Sequence, residues 1–225
     1  MMIAKDTLPK FLLVLVFSWL SLSPVKSQTT PNPSNLISPE TGIDYTLLNN
    51  LLSRQQWREA NNTTFRLMLQ SLKREQQGWV SSEDIAQLPC SDLKIIDDLW
   101  KQHSQGRFGY TVQFPIFVAT GNKPGKLVNP QFYDDFGTNV GWRKDNQWII
   151  FRENLIYSLD APVGHLPNPR PEYQITGGRL NYTALTERMV KCSLVSYTID
   201  KKPVYQPAGG AKPVEQRPVN LDNIR

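Results

Sequence analysis

Apolar residues recur every three or four positions through the first half of the chain, which predicts a series of amphipathic helices. Asp44 is expected to cap a short leucine-rich helix, and a second helix places apolar residues on one face over 57–68. Ser81 with Asp84 has the spacing of a capping box for a third, short helix. The most regular pattern follows Asp92, which is expected to cap a fourth helix.

The second half of the chain has a different pattern. Apolar residues alternate over 108–116, which by itself predicts a strand, and the segments 148–151 and 155–159 also look extended. Residues 121–139 are rich in Gly, Pro and Asn and are expected to form a long loop, whose length suggests a purpose. A last helix is expected over about 181–193.

The first 27 residues have the build of a secretory signal peptide. Lys5 and Lys10 precede an apolar run over 11–22, and Val25 and Ser27 place small residues at the −3 and −1 positions of a cleavage site. The run is too short to cross a bilayer comfortably. The sequence therefore predicts export to a periplasm or thylakoid lumen, with an uncleaved membrane anchor as the alternative and membrane contact only through this segment.

Composition divides the rest of the chain into three parts. Residues 28–42 are expected to be a linker, 43–194 a single globular domain, and 195–225 a disordered proline-rich tail. Removal of 1–27 takes away three basic residues and one acidic residue, which leaves 22 basic and 19 acidic residues. This mild balance shows no basic stripe, so nucleic-acid binding has little support.

The chain has two cysteines, Cys90 and Cys192. Export would allow them to form one disulfide. The alternative, slightly favoured by the sequence, is that each is buried singly as a small hydrophobic residue.

Motifs typical of enzymes are missing from the sequence. It contains no phosphate-binding glycine loop, no nucleophile elbow and no paired-histidine metal motif. With only His103 and His165, a hydrolytic triad has little choice of base. Asp97 and Asp98 are adjacent on a predicted helix and point about 100° apart, so they do not converge on one substrate. We therefore expect neither an enzyme nor a metal site.

Aromatic residues flank the predicted loop in unusual number. The chain has six Trp, eight Tyr and nine Phe, and basic residues, among them Lys123 and Lys126, lie between several of them. A planar macrocycle with acidic side arms needs this combination, because rings and aliphatic groups contact its faces and cations pair with its carboxylates. The alternative is that these aromatics form the second half of the core.

Several short motifs in a fixed order resemble the genomes-uncoupled-four family of cyanobacteria and of algal and plant plastids. They are Gly42-Ile43-Asp44-Tyr45, Ser104-Gln105-Gly106-Arg107-Phe108-Gly109-Tyr110-Thr111-Val112-Gln113, Val140-Gly141-Trp142 and Ala161-Pro162-Val163-Gly164-His165-Leu166-Pro167. The resemblance covers about 150 of the 225 residues. That family binds protoporphyrin and magnesium-protoporphyrin and stimulates magnesium chelatase in chlorophyll biosynthesis.

The resemblance implies a mainly α-helical fold: one compact domain of cupped-hand shape with a long mobile loop. It replaces the strand over 110–118 with a helix and places a porphyrin near Phe117, Val118 and the following loop. Residue types and resemblance together give these candidate tetrapyrrole-binding residues: Phe114, Phe117, Val118, Phe132, Phe136, Trp142, Arg143, Trp148 and Arg152.

The chain departs from the family pattern at residues that bear on its role. Phe114 and Pro115 stand where relatives often carry arginines, and Ile149 follows Trp148 where an arginine is usual. We expect a porphyrin-binding sensor, carrier or scavenger. One alternative is a regulator that contacts the large subunit of magnesium chelatase, if the chain is retained inside. The other is a protein-interaction module without pigment.

Overall fold

Helices dominate the computed structural model, which describes residues 36–168 and 175–198. The α-helices within those ranges are α1 (Thr46–Ser53), α2 (Trp57–Ser71), α3 (Ser82–Ile85), α4 (Cys90–His103), α5 (Tyr110–Ala119), α6 (Pro130–Asn139) and α7 (Ile175–Lys191). Strands β1 (Arg143–Lys144) and β2 (Gln147–Trp148) pair antiparallel, and a 3-10 helix spans Arg152–Asn154. The mainly helical fold class is thus confirmed. The predicted signal peptide lies outside the described residues.

Helices α1, α2 and α4 share one core, as the helical pattern predicted. The predicted inner face of α2 is buried from Trp57 to Met68. Trp57 stacks on Trp100 of α4 with ring centroids 6.0 Å apart. The indole N–H of Trp100 donates to the Thr64 hydroxyl at 2.9 Å, so this buried polar group is satisfied.

Helix α4 begins at Cys90, so the prediction that Asp92 caps it is wrong. Asp92 lies in its first turn, fully buried, and accepts hydrogen bonds from hydroxyl groups of Ser38 (2.6 Å), Thr41 (2.7 Å) and Tyr45 (2.7 Å). Burial and this carboxylate raise the pKa of Tyr45 far above its ordinary value. Because Ser38 and Leu36 are buried, the part of the predicted linker from residue 36 onward packs on the domain.

The helix expected from the resemblance over 110–118 is present as α5. Its buried residues lie all around the helix, which explains why no amphipathic pattern marks it in the sequence. Asp97 of α4 fixes its start by accepting the backbone N–H of Thr111 at 2.8 Å and the Thr111 hydroxyl at 2.7 Å. Asp97 is buried and Asp98 is about half exposed, and the Lys101 ammonium pairs with both carboxylates, at 2.8 Å and 3.2 Å.

The prediction of an unbroken loop over 121–139 is wrong, because its second half is helix α6. Asn129 accepts the backbone N–H of Gln131 at 3.0 Å, and Pro130 occupies the first turn, where its missing N–H costs nothing. Tyr133 and Phe136 then bury one face of the helix. The Gly, Pro and Asn content that suggested a loop belongs to the helix start and to the residues before it.

The extended segments predicted over 148–151 and 155–159 are mostly irregular. Only Gln147–Trp148 forms a strand, in the hairpin with Arg143–Lys144. The chain then passes through the 3-10 helix, and Leu155 is buried between exposed neighbours. Single buried residues hold this segment on the domain, without the regular alternation of a strand. A short apolar run in the sequence does not show whether the segment is a strand or irregular.

Helix α7 packs against α3 and the start of α4. The capping box of α3 is confirmed: the Ser81 hydroxyl accepts the Asp84 N–H at 3.1 Å, and the Asp84 carboxylate accepts the Ser81 N–H at 3.0 Å. Cys90 and Cys192 form a disulfide across 102 residues, so the slight preference for two separate thiols is wrong. Their spacing along the chain carried no information about their proximity. No helix within the described residues is long and apolar enough to cross a membrane.

Candidate functional site

An aromatic cluster fills the core between α5, α6, α7 and the hairpin. Phe136 packs against Tyr182 with ring centroids 4.9 Å apart, and against Phe117 and Trp142 at 5.4 Å each. All four side chains are essentially unexposed. The structure therefore places three predicted ligand contacts, Phe117, Phe136 and Trp142, inside the core, which favours the alternative interpretation for these residues.

Tyr182 is central to this cluster and was not singled out from the sequence. Its hydroxyl donates to the Gln113 side-chain oxygen at 2.9 Å, and burial raises its pKa well above the ordinary value. Gln113 in turn donates to the carbonyl oxygens of Gly164 and Pro167. The spacing of Tyr182, Leu185 and Met189 at three and four residues is the signal that could have identified it as a core residue.

Three further predicted residues also have structural neighbours. Phe114 is buried and meets Tyr197 edge-on at 6.3 Å, and Val118 is also buried. Phe132 is half-buried beneath the turn after α5, where a Cβ on Gly121 would come within 2.9 Å of its ring. These three side chains therefore support the helices and the turn.

The loop between α5 and α6 is anchored to α7. Gly125 donates its backbone N–H to the Thr183 carbonyl oxygen at 3.1 Å. The backbones of Lys123 and Lys126 form an isolated antiparallel β-bridge. Asn122 donates to the Phe132 carbonyl oxygen at 2.7 Å. The backbone of this loop is therefore fixed at several points.

The hairpin is anchored on α6 through Trp148. The Trp148 ring lies 5.2 Å from the Tyr133 ring, and its N–H donates to Asp134 at 3.1 Å. Arg143 lies over the same indole at 5.6 Å and pairs with Asp134 at 3.4 Å. Arg143 therefore has an acidic partner within the protein, and its predicted role toward a ligand carboxylate would require it to leave Asp134.

After the hairpin, residues 149–157 run alongside α2. The Arg152 guanidinium lies 5.1 Å from the Phe65 ring and 3.5 Å from the Asn62 side-chain oxygen. Arg58 lies 4.8 Å over the Tyr157 ring. Positions 58, 62 and 65 follow a helical spacing of four and three, so one stripe of α2 faces this segment.

Segment 149–157 exposes several apolar side chains to solvent. Phe151 is 51% exposed, Ile156 45% and Ile150 38%. The combination of apolar side chains with two arginines stacked on aromatic rings resembles the lining of a site for a flat, acidic, apolar ligand. We call this set the α2–segment surface: Arg58, Phe65, Ile150, Phe151, Arg152, Ile156 and Tyr157.

Of the predicted site residues, Arg152 belongs to the α2–segment surface, and Trp148 immediately precedes segment 149–157. Arg58 and Phe65 were missed. The signal that could have found them is their position on α2, on the side away from the buried Ala60, Thr64 and Leu67.

His165 connects segment 149–157 to the core through hydrogen bonds. Its Nε2 accepts the backbone N–H of Ile156 at 3.0 Å, and its Nδ1 donates to the Val140 carbonyl oxygen at 2.7 Å. The His165 carbonyl oxygen accepts the Trp142 indole N–H at 2.7 Å. The side chain is fully buried, and burial lowers its pKa. These hydrogen bonds give His165 a structural role, because they hold the turn and segment 149–157 in place.

The described residues contain two histidines, and both are engaged in hydrogen bonds. No group of three or more His, Cys, Asp or Glu side chains in that part of the chain is arranged to hold a metal ion. Both ring nitrogens of His165 are engaged, and the Nε2 of His103 bonds the Asn49 side chain at 2.9 Å. The α2–segment surface can bind and orient a ligand through apolar contact and charge.

The structure thus describes a small helical domain with exposed apolar side chains and two arginines near aromatic rings. The sequence matches the GUN4-like family over residues 38–185, well over half of its length. The chain therefore belongs to the GUN4-like family, as its motifs suggested.

Similar proteins come from cyanobacteria, algae and plants. The chain is 31% identical over 128 residues to a Ycf53-like protein of Synechocystis (56% of this chain, 51% of that one). It is 31% identical over 142 residues to the chloroplastic tetrapyrrole-binding protein of Arabidopsis thaliana (57% and 49%). The chain thus spans about half the length of these curated relatives.

Solved structures show the same fold. GUN4 from Chlamydomonas reinhardtii aligns with a TM-score of 0.52 and 30% identity, over 65% of this chain and 89% of that one. Ligand-free GUN4 from Arabidopsis thaliana aligns with a TM-score of 0.51 and 28% identity, over 63% and 93%.

Proposed function

We propose that this protein binds a porphyrin-type tetrapyrrole non-catalytically at the α2–segment surface, as a sensor, carrier or scavenger. The observation that carries the proposal is the exposure of Phe151 and Ile156 beside two guanidinium groups stacked on aromatic rings. Exposed apolar side chains grouped in this way are typical of binding sites. Family membership and the name of the Arabidopsis relative support the choice of ligand.

The ligand proposed is a free or magnesium-bearing porphyrin held without a covalent bond. One face of the ring would lie on Phe151 and the aliphatic side chains around it, because flat apolar surfaces exclude water from each other. Arg152, and Arg143 if it leaves Asp134, are the predicted site residues whose charge could reach the acidic arms. The buried predicted residues Phe117, Phe136 and Trp142 would support the surface rather than touch the ring.

The test is a titration of the full chain with deuteroporphyrin while tryptophan fluorescence is recorded. We expect saturable quenching with a midpoint at micromolar porphyrin. Phe151→Ala should weaken binding several-fold, because it removes exposed ring area without a buried contact. Leu47→Ala is the matched control, since Leu47 is 57% exposed on α1, outside the proposed surface. Absence of saturable quenching would contradict the proposal and favour a protein-interaction module without pigment.

The location of the protein is a separate proposal, which we make for the cell envelope or thylakoid lumen. The disulfide between Cys90 and Cys192 supports it, because such bonds persist in oxidising compartments. The family role in magnesium chelatase regulation would instead require the protein to remain inside. N-terminal sequencing of protein from fractionated host cells decides between them: a start near Gln28 outside the cytoplasm supports export, and an intact N-terminus inside supports the chelatase role.

A further inference from the structure

Arg58 lies over an aromatic ring, and no acidic side chain among the described residues pairs with it. It lies in the first turn of α2, is exposed to solvent, and stacks 4.8 Å over the ring of Tyr157. The Tyr157 hydroxyl donates to the Arg152 carbonyl oxygen at 2.9 Å, which fixes the ring beneath the guanidinium. A guanidinium that lies over an aromatic ring still carries the planar set of N–H donors that pairs well with a carboxylate.

The charge of Arg58 has no acidic partner among the described residues. Other cations of the same part of the chain do have one; these pairs are Arg74 with Asp84, Lys101 with Asp97, Arg143 with Asp134 and Lys191 with Glu187. Glu59 follows Arg58 directly, but adjacent helical side chains point about 100° apart and the two form no ion pair. The guanidinium is therefore available to an anion from outside the chain.

Arg152 provides a second cation further along α2. It lies over Phe65, and Arg58 begins the same stripe seven residues earlier, which corresponds to about 10 Å along a helix. Phe151 and Ile156 are exposed on the segment that faces this stripe. A ligand with an apolar body and two flexible acidic arms fits such a pair of separated cations.

We infer that Arg58 is a specificity-determining residue that binds one carboxylate arm of the ligand while Arg152 binds the other, so that the surface selects dicarboxylic tetrapyrroles. This inference rests on the proposed function and goes beyond it, since porphyrin binding through apolar contact alone requires no such selection.

The experiment compares deuteroporphyrin with its dimethyl ester, which has the same ring and no ionised carboxylate. Both are titrated into the full chain and into Arg58→Gln and Arg66→Gln. Arg66 is the matched control, because it is an exposed arginine on the same helix whose guanidinium donates to the Thr63 hydroxyl at 2.8 Å. Circular dichroism melts of the three proteins verify that each is folded.

We expect the wild-type chain to bind the diacid at least about tenfold more tightly than the diester, as loss of a charge-assisted hydrogen bond implies. Arg58→Gln should lower affinity for the diacid by about tenfold and leave the diester unchanged, and Arg66→Gln should change neither. Equal wild-type affinity for the two porphyrins, or an unchanged preference in Arg58→Gln, would overturn the inference and leave the proposed function intact. Absence of binding to both porphyrins would overturn the proposed function, and the inference with it.

Discussion

The Nε2 atom of His165 accepts the backbone N–H of Ile156 at 3.0 Å, which ties the exposed segment 149–157 to the core. The other ring nitrogen donates to the carbonyl oxygen of Val140 at the end of α6. Since Nδ1 carries the proton and Nε2 accepts, this arrangement requires the neutral imidazole. A protonated ring would present an N–H to the Ile156 N–H, and the hydrogen bond would be lost.

Stability should therefore decrease as the solution becomes acidic. Burial lowers the pKa of His165 below its ordinary value of 6.5. At pH values between 6.5 and the lower folded-state pKa, the unfolded chain binds more protons than the folded chain. The contribution of His165 to the free energy of unfolding is therefore fully present above about pH 6.5 and is lost as the pH falls through this range. Urea unfolding at about pH 8 and at about pH 5 measures the change, with a lower midpoint expected in acid.

The variant His165→Gln isolates this contribution. Burial also lowers the pKa of His103, so His103 contributes to the pH dependence of stability in the same direction. Comparison of the variant with the wild type removes this contribution. At about pH 8 the variant should lose about 2–4 kcal/mol, because Val140 and Ile156 are left with poorly satisfied buried groups. The decrease in the free energy of unfolding from about pH 8 to about pH 5 should be smaller in the variant than in the wild type. An identical loss in both proteins would show that His165 does not titrate on unfolding.

Substitution of two phenylalanines, one buried and one exposed, should have different effects on stability. Phe136 is fully buried among four other rings, so Phe136→Ala should cost about 3–5 kcal/mol of the free energy of unfolding. Phe151 is about half exposed, and Phe151→Ala should stay within about 0.5 kcal/mol of the wild type. Chemical denaturation measures both values. A large stability loss in Phe151→Ala would mean that the ring packs on the domain and is not available to a ligand.

The sequence predicted helices where one face is buried and failed where burial is irregular. The face of α2 from Trp57 to Met68 and the capping box of Ser81 and Asp84 follow local rules, and both are present. Helix α5 is buried around most of its circumference, and only the family resemblance identified it. Helix α6 was missed because Pro and Gly residues near it suggested a loop.

The candidate site was predicted less well, because residue type does not reveal which side of a structure a residue occupies. Phe117 and Trp142 have the chemistry of ligand contacts and are fully buried, since α7 brings Tyr182 against them from a distant part of the sequence. Arg58 was overlooked because its significance depends on Tyr157, about a hundred residues away along the chain. Such contacts arise only from the tertiary fold.

Reduction of the Cys90–Cys192 disulfide should destabilise the domain. The bond closes a loop of 102 residues and joins the start of α4 to the turn after α7. Its loss should cost about 2–5 kcal/mol, because the unfolded chain regains the conformations that the loop excluded. Thermal melts with and without a dithiol reductant measure this effect. A Cys90→Ser/Cys192→Ser double variant should melt near the reduced wild type and should not respond to the reductant, and a response in that variant would point to a different cause.

The closest steric constraint near the hairpin is between Gly137 and Trp148. A Cβ at position 137 would lie 2.3 Å from the Trp148 ring. The indole is rigid, so the whole ring would have to move to relieve the clash. Gly137→Ala should therefore displace the indole from Tyr133 and Asp134, cost about 1–3 kcal/mol and change the tryptophan emission.

A double-mutant cycle separates this clash from other effects of the substitution. In a Trp148→Ala background the obstacle is gone, and Gly137→Ala should become neutral or stabilise the chain by up to about 1 kcal/mol, since alanine favours a helix interior over glycine. The sign of the effect of Gly137→Ala should thus reverse between the two backgrounds when unfolding is followed by circular dichroism. An equal destabilisation in both would show that the glycine is needed for a reason other than the position of Trp148, and that the hairpin is not held on α6 by this contact.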